Sequence, residues 1–82
     1  MTDEEIKEIV LKILAQIAPE ADFDELSPDD NIQRTLDIDS FDSLTFFIGI
    51  NEELGVDVPE SDYGELTSLK EIITYLSRRV GS

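Results

Sequence analysis

Three stretches of this chain repeat their apolar residues at the spacing of an α-helix, and none pairs off in the alternating pattern that neighbouring strands require. The first stretch carries Ile6, Ile9, Val10, Ile13, Leu14 and Ile17. Thr2 and Glu5 stand before it as a capping box, and Pro19 halts it. The second carries Phe41, Leu44, Phe47, Ile48 and Leu54 and ends at Gly55, a residue suited to a left-handed cap, so the predicted helix runs from Ser40 to Leu54. The last opens on a second capping box, Ser68 with Glu71, and carries Leu69, Ile72, Ile73, Leu76 and Val80. It runs out through Arg78-Arg79, whose charge suits a helix C-terminus, to Gly81.

The segments between are equally directive. From Pro19 to Asp37 the turn-forming Pro28, Asp29, Asp30 and Asn31, with Phe23, Leu26, Ile32 and Leu36 as apolar anchors, predict a long ordered loop. Val56, Val58 and Pro59 predict a short extended stretch, followed by at most a turn or so of helix around Tyr63 between Glu60 and Glu65. The expected fold is therefore all-α: a small antiparallel helical bundle of three main helices plus a short helical turn, with a long first loop, as one domain over residues 1–82. A domain of 82 residues supports one small core.

The residue types limit the chemistry. There is no Cys and no His, which removes the usual nucleophile, the usual neutral-pH base and the commonest transition-metal ligands. An autonomous enzyme is not expected. No apolar run reaches the ~20 residues that cross a bilayer, and the acidic Asp3-Glu4-Glu5 is unlike a secretory signal, so the expected location is cytoplasmic. Twenty acids against six bases leave a formal charge of −14, which repels phosphate backbones and anionic lipid and attracts proteins with basic surfaces. No base occurs from Thr35 through Leu69, so the middle of the chain is an acidic face.

Within that face lies Leu36-Asp37-Ile38-Asp39-Ser40-Phe41-Asp42-Ser43-Leu44, a hydroxyl at the start of a helix, between carboxylates and just after a loop. Together with Val58-Pro59-Glu60 and Leu66-Thr67-Ser68-Leu69, this stretch resembles the acyl carrier protein family over nearly the whole chain. The resemblance implies that Ser40 accepts a 4'-phosphopantetheine arm from a phosphopantetheinyl transferase, with Asp39 helping to hold the Mg²⁺ of that reaction. It also implies partner contacts at Phe41, Asp42, Leu44, Thr45, Ile48 and Glu52, made with acyl-loading and acyl-processing enzymes, by a monomeric carrier. A helix start suits such a Ser, because the free amides and the dipole there favour a phosphate. The missing thiol would arrive with the cofactor.

Asp42-Ser43-Leu44 spells the family's Asp-Ser-Leu more literally, which makes Ser43 a competitor. Choosing Ser40 keeps Leu36 four residues before the site and leaves a family-like length of helix before Val58-Pro59. Asp37 stands where the family usually has Gly, and Phe41 where it has Leu; with Thr45, Phe46, Phe47 and Asn51 in the second helix these suggest a specialised member. Phe47 is expected in the core, while Phe46 has no assigned place. Gly49 in mid-helix costs about 1 kcal/mol relative to Ala, so it answers either close helix packing or room for an acyl chain.

A calcium-binding loop on Asp37, Asp39 and Asp42 fails, since it needs an oxygen ligand at Phe41, Gly at Asp42 and Glu at Ile48. Two alternatives stay open: an unmodified acidic adaptor that binds a basic partner, and an aminoacyl carrier, although a peptidyl carrier's paired glycines before the Ser are absent. Fatty-acyl or polyketide-like transfer is the first expectation. The charge itself has a measurable consequence: a chain at −14 repels itself, so added salt or divalent cations should raise its melting temperature, and a salt-independent Tm would contradict this.

Overall fold

The computed structural model describes residues 2–80, and the expected end of the last helix at Gly81 lies outside them. Helix α1 spans Asp3–Ile17, α2 Ile32–Thr35, α3 Ser40–Leu54 and α4 Leu69–Val80, with a 3₁₀ helix over Glu60–Glu65. Among the described residues there is no strand, only an isolated antiparallel bridge between Asn31 and Ser68. The protein is an all-α bundle in which α1 packs on both α3 and α4.

Each long helix starts where a side chain takes over an orphan amide. Thr2 accepts from Glu5 N–H at 3.2 Å while the Glu5 carboxylate accepts from Thr2 N–H, completing the capping box. Asp39 Oδ1 accepts from Asp42 N–H at 2.9 Å and opens α3. Ser68 Oγ accepts from Glu71 N–H at 3.2 Å and opens α4. Gly55 closes α3 at φ 69°, a left-handed conformation that glycine adopts at no steric cost. Val56 and Val58 are then buried with Asp57 exposed between them, the alternation of extended chain.

The core gathers Ile6, Val10, Ile13 and Leu14 from α1, Ile50 from α3, and Leu69, Ile72 and Leu76 from α4. Tyr75 of α4 donates to Asp62 of the 3₁₀ helix at 2.7 Å, and the Arg79 guanidinium lies 3.6 Å over the Tyr75 ring. Burial, and then this hydrogen bond to a carboxylate, push the phenol above its ordinary pKa.

The long loop differs from expectation, because it contains the four-residue helix α2. Asn31 caps it by accepting from Arg34 N–H at 3.0 Å, and a single turn is too short to show a periodic stripe. The loop is pinned to the start of α4: Ile32 N–H donates to the Thr67 carbonyl at 2.8 Å and Lys70 N–H to the Pro28 carbonyl at 3.0 Å. Leu26, Ile32 and also Ile38 are buried as its anchors, while Phe23 and Leu36 are half-buried.

The inward face of α3 takes Phe47, as expected, and also Phe46, which had no assigned place. Phe46 and Phe47 are both buried, at 4% and 6% exposure, whereas Phe41, Leu44 and Ile48 point to solvent. This helix is apolar on two faces, so spacing alone does not name the buried one. Gly49 sits against α1: a Cβ there would stand 3.0 Å from Ile13 Cγ2, so glycine permits the close approach of the two helices. Asn51, a departure from the family pattern, donates from its side chain to the Val56 carbonyl at 3.2 Å and holds the turn after α3.

Two positions are open to direct test. Asp37 has φ 54°, a left-handed conformation that Asp tolerates and a β-branched residue does not. Asp37→Val should lower unfolding stability by about 1–2 kcal/mol, while Asp37→Gly should be neutral or slightly stabilising, read from urea denaturation midpoints. At Gly49, overpacking against Ile13 should make Gly49→Leu cost about 1–3 kcal/mol, with Gly49→Ala much milder because its better helix propensity offsets the squeeze.

Candidate functional site

The start of α3 is presented by two features of the chain before it. Asp37 turns the backbone through its left-handed conformation, and Ile38 N–H donates to the Gln33 carbonyl at 3.0 Å with the Ile38 side chain buried. Asp39 then caps the helix, leaving Ser40 as its first residue. The Ser40 side chain is exposed, and among the described residues its hydroxyl engages no hydrogen-bond partner. Ser43, one turn on, is half-buried, and its Oγ accepts from Gln33 Nε2 at 3.1 Å. The two candidate hydroxyls are thus in opposite situations.

Beside Ser40 runs an open groove of about 570 Å³, with Phe41 and Leu44 along α3 and Tyr63, Gly64 and Thr67 opposite. A larger open cleft of about 750 Å³ runs along α4 from its start, but the hydroxyl there, Ser68, is buried and engaged with Glu71. The chemistry follows the free hydroxyl rather than the volume.

Around Ser40 the field is mixed. Asp37, Asp39 and Asp42 surround it with negative charge, while the first amides of α3 have no intrahelical acceptor and present the positive end of the helix. Asp39 spends Oδ1 on the Asp42 amide. Among the described residues no group of three metal-ligating side chains comes together.

The residues expected to meet partners lie on the outward side of α3. Phe41 is 80% exposed, Ile48 52% and Leu44 45%, and with Glu52 they follow the spacing that stacks side chains along one face. Glu52 and Thr45 are exposed, the Thr45 hydroxyl donating to the Phe41 carbonyl at 3.0 Å. Asp42 is half-buried. Gln33 and Tyr63 are parts of this region that sequence reading did not single out. Gln33 stands in a helix of one turn, and Tyr63 reaches the groove only through the packing of the 3₁₀ helix.

A phosphopantetheine arm fits this arrangement. Ser40 supplies an accessible hydroxyl at a helix start, the unbonded amides offset nearby carboxylates, and the groove begins at that residue.

Comparison with known proteins agrees. Residues 4–76 match the family model described as a phosphopantetheine attachment site. The chain is 30% identical over 73 residues to the acyl carrier protein of Campylobacter hominis, covering 89% of this chain and 86% of that protein. It is 27% identical over 79 residues to the acyl carrier protein of a Picosynechococcus species, covering 96% and 91%. It is 26% identical over 69 residues to a putative mitochondrial acyl carrier protein of Schizosaccharomyces pombe, covering 84% and 62%. With the helical bundle, the hydroxyl-bearing helix start and a match across most of its length, the chain belongs to the acyl carrier protein family, whose cofactor is phosphopantetheine.

Proposed function

We propose that this chain carries acyl groups as thioesters on a phosphopantetheine arm attached to Ser40, in fatty-acid or polyketide-like synthesis, as a single carrier domain over residues 1–82. The observation that carries the reading is the exposed, unengaged Ser40 hydroxyl at the first position of α3, beside a groove that begins there. Ser43 is the poorer acceptor, because the residue is half-buried and its hydroxyl is held by Gln33.

Ser40 Oγ takes the arm from coenzyme A in a reaction catalysed by a phosphopantetheinyl transferase, so the chain is a substrate rather than a catalyst. The attached group supplies the reactive thiol that a chain without Cys lacks. Asp39 has two jobs in this reading: it caps α3 through Oδ1 and lends negative charge to the Mg²⁺ of the transfer. Phe41, Leu44 and Ile48 offer apolar contact to loading and processing enzymes, with Asp42, Thr45 and Glu52 beside them. The base-free stretch from Thr35 through Leu69 favours partners with basic docking surfaces. No helix among the described residues is long and apolar enough to cross a membrane, and the proposed setting is a monomer in the cytoplasm.

Incubation with coenzyme A, Mg²⁺ and a broad-specificity transferase, followed by intact mass and peptide mapping, tests the assignment. Wild type and Ser43→Ala should gain the mass of one phosphopantetheine, and Ser40→Ala should gain none. An adduct on Ser43 would move the site by one turn; no adduct with several transferases would favour an unmodified adaptor that docks through Phe41, Leu44 and Ile48. Asp39→Asn separates the two jobs of that residue, because Asn caps as well as Asp. It should keep the wild-type Tm within about 0.5 kcal/mol equivalent yet slow the transfer, and an unchanged rate would remove Asp39 from the metal role.

A further inference from the structure

A carrier must place its acyl group somewhere, and the bundle interior has little space to offer. The groove beside Ser40 and the interior share Gln33 and Ser43 as walls, and the hydrogen bond between these two side chains lies at that boundary. Behind it lies a void of about 20 Å³, bounded by Leu14, Ile32 and Ile72 together with Phe46 and Phe47. Such a space is on the order of that needed for one water molecule, and no run of methylenes fits it.

Rings take up the volume. Phe46 and Phe47 meet edge to face with centroids 5.1 Å apart and planes at 69°. Phe47 in turn stacks on Tyr63 at 4.1 Å and 15°. Tyr63 also lines the groove beside Ser40, so the stack runs from the groove wall into the core. The segment bearing Tyr63 is tied to α4 by the hydrogen bond from Tyr75 to Asp62. A close-packed interior admits a guest only by displacing what fills it, and three rings packed in series, Phe46 on Phe47 and Phe47 on Tyr63, oppose that displacement.

We propose that Phe46, Phe47 and Tyr63 form an aromatic plug that closes the bundle to extended alkyl chains and makes this carrier selective for short or polar acyl groups. The proposal rests on the reading of Ser40 as the attachment site. A long alkyl group on the arm remains in water, where each added methylene is unfavourable, whereas a short or hydroxylated group has little apolar surface left to shelter. Gly49 does not relieve the plug, since its open side faces Ile13 and it does not line the void.

Because the chain has no Cys, Ser40→Cys supplies a unique thiol to which butyl and dodecyl methanethiosulfonate attach alkyl chains without any transferase. The readout is the ¹³C methyl shifts of Leu14, Ile32 and Ile72, which wall the void. With all three rings present, the dodecyl adduct should move these methyls no more than the butyl adduct does. With Phe46→Leu and Tyr63→Ala added, the dodecyl adduct should move them and raise the Tm. Tyr63→Ala alone, at a half-buried position, should do the same to a smaller extent and covers the case in which the double variant does not fold. Dodecyl-dependent shifts with the rings intact would overturn the plug, and so would opened variants whose methyls stay silent. Enzymatic loading of wild type, run in parallel, reports on Ser40 as the attachment site separately, since the alkylation result stands without it.

Discussion

The backbone pairing between the first loop and the entry to α4 is the constraint on which the working end of this protein depends. Ile32 N–H to the Thr67 carbonyl, and Lys70 N–H to the Pro28 carbonyl, are contacts between residues 35 and 42 positions apart in the chain. They fix the one-turn helix α2, whose Gln33 then engages Ile38 through its carbonyl and Ser43 through its side chain. A loop without these bonds would leave its amides unsatisfied wherever it met the core, and the start of α3 would have no defined position. The exposure of Ser40 and the occupation of Ser43 both follow from this pinning.

Charge shapes the same end in a different way. Carboxylates at Asp37, Asp39 and Asp42 crowd a short span, yet each has a local reason in the fold: Asp37 accepts a left-handed backbone, Asp39 caps α3, and Asp42 lies in its first turn, where negative charge complements the helix dipole. The acids therefore stabilise the helix start while giving the region its attraction for basic partners. The ion pair between α1 and α3, Lys12 to Glu53 at 3.8 Å, is exposed and adds little.

Much of this was legible in the residues. Caps at Thr2, Asp39 and Ser68, the stop at Gly55 and the extended Val56-Asp57-Val58 obey local rules that involve only neighbours in sequence, so α3 and its first residue follow from them. Helix α2 was not legible, because one turn has no period. The interior place of Phe46 was not legible either: α3 carries Phe41, Leu44 and Ile48 on one side and Phe46, Phe47 and Ile50 on the other, and both sides read as apolar. The expectation that Gly49 serves either close packing or an acyl chain resolves toward packing, through contact with Ile13 on another helix.

The sequence by itself determined the starts of the three long helices, the stops of α1 and α3, the acidic middle and the hydroxyl at a helix start, because capping, turn conformation and charge act over a few residues. Only the tertiary structure decided which hydroxyl stands free, which face of α3 is buried and how little space the rings leave inside. Those outcomes depend on contacts between Gln33 and Ser43, Gly49 and Ile13, and Phe47 and Tyr63. Each joins residues from separate elements, and such contacts exist only once the elements have packed.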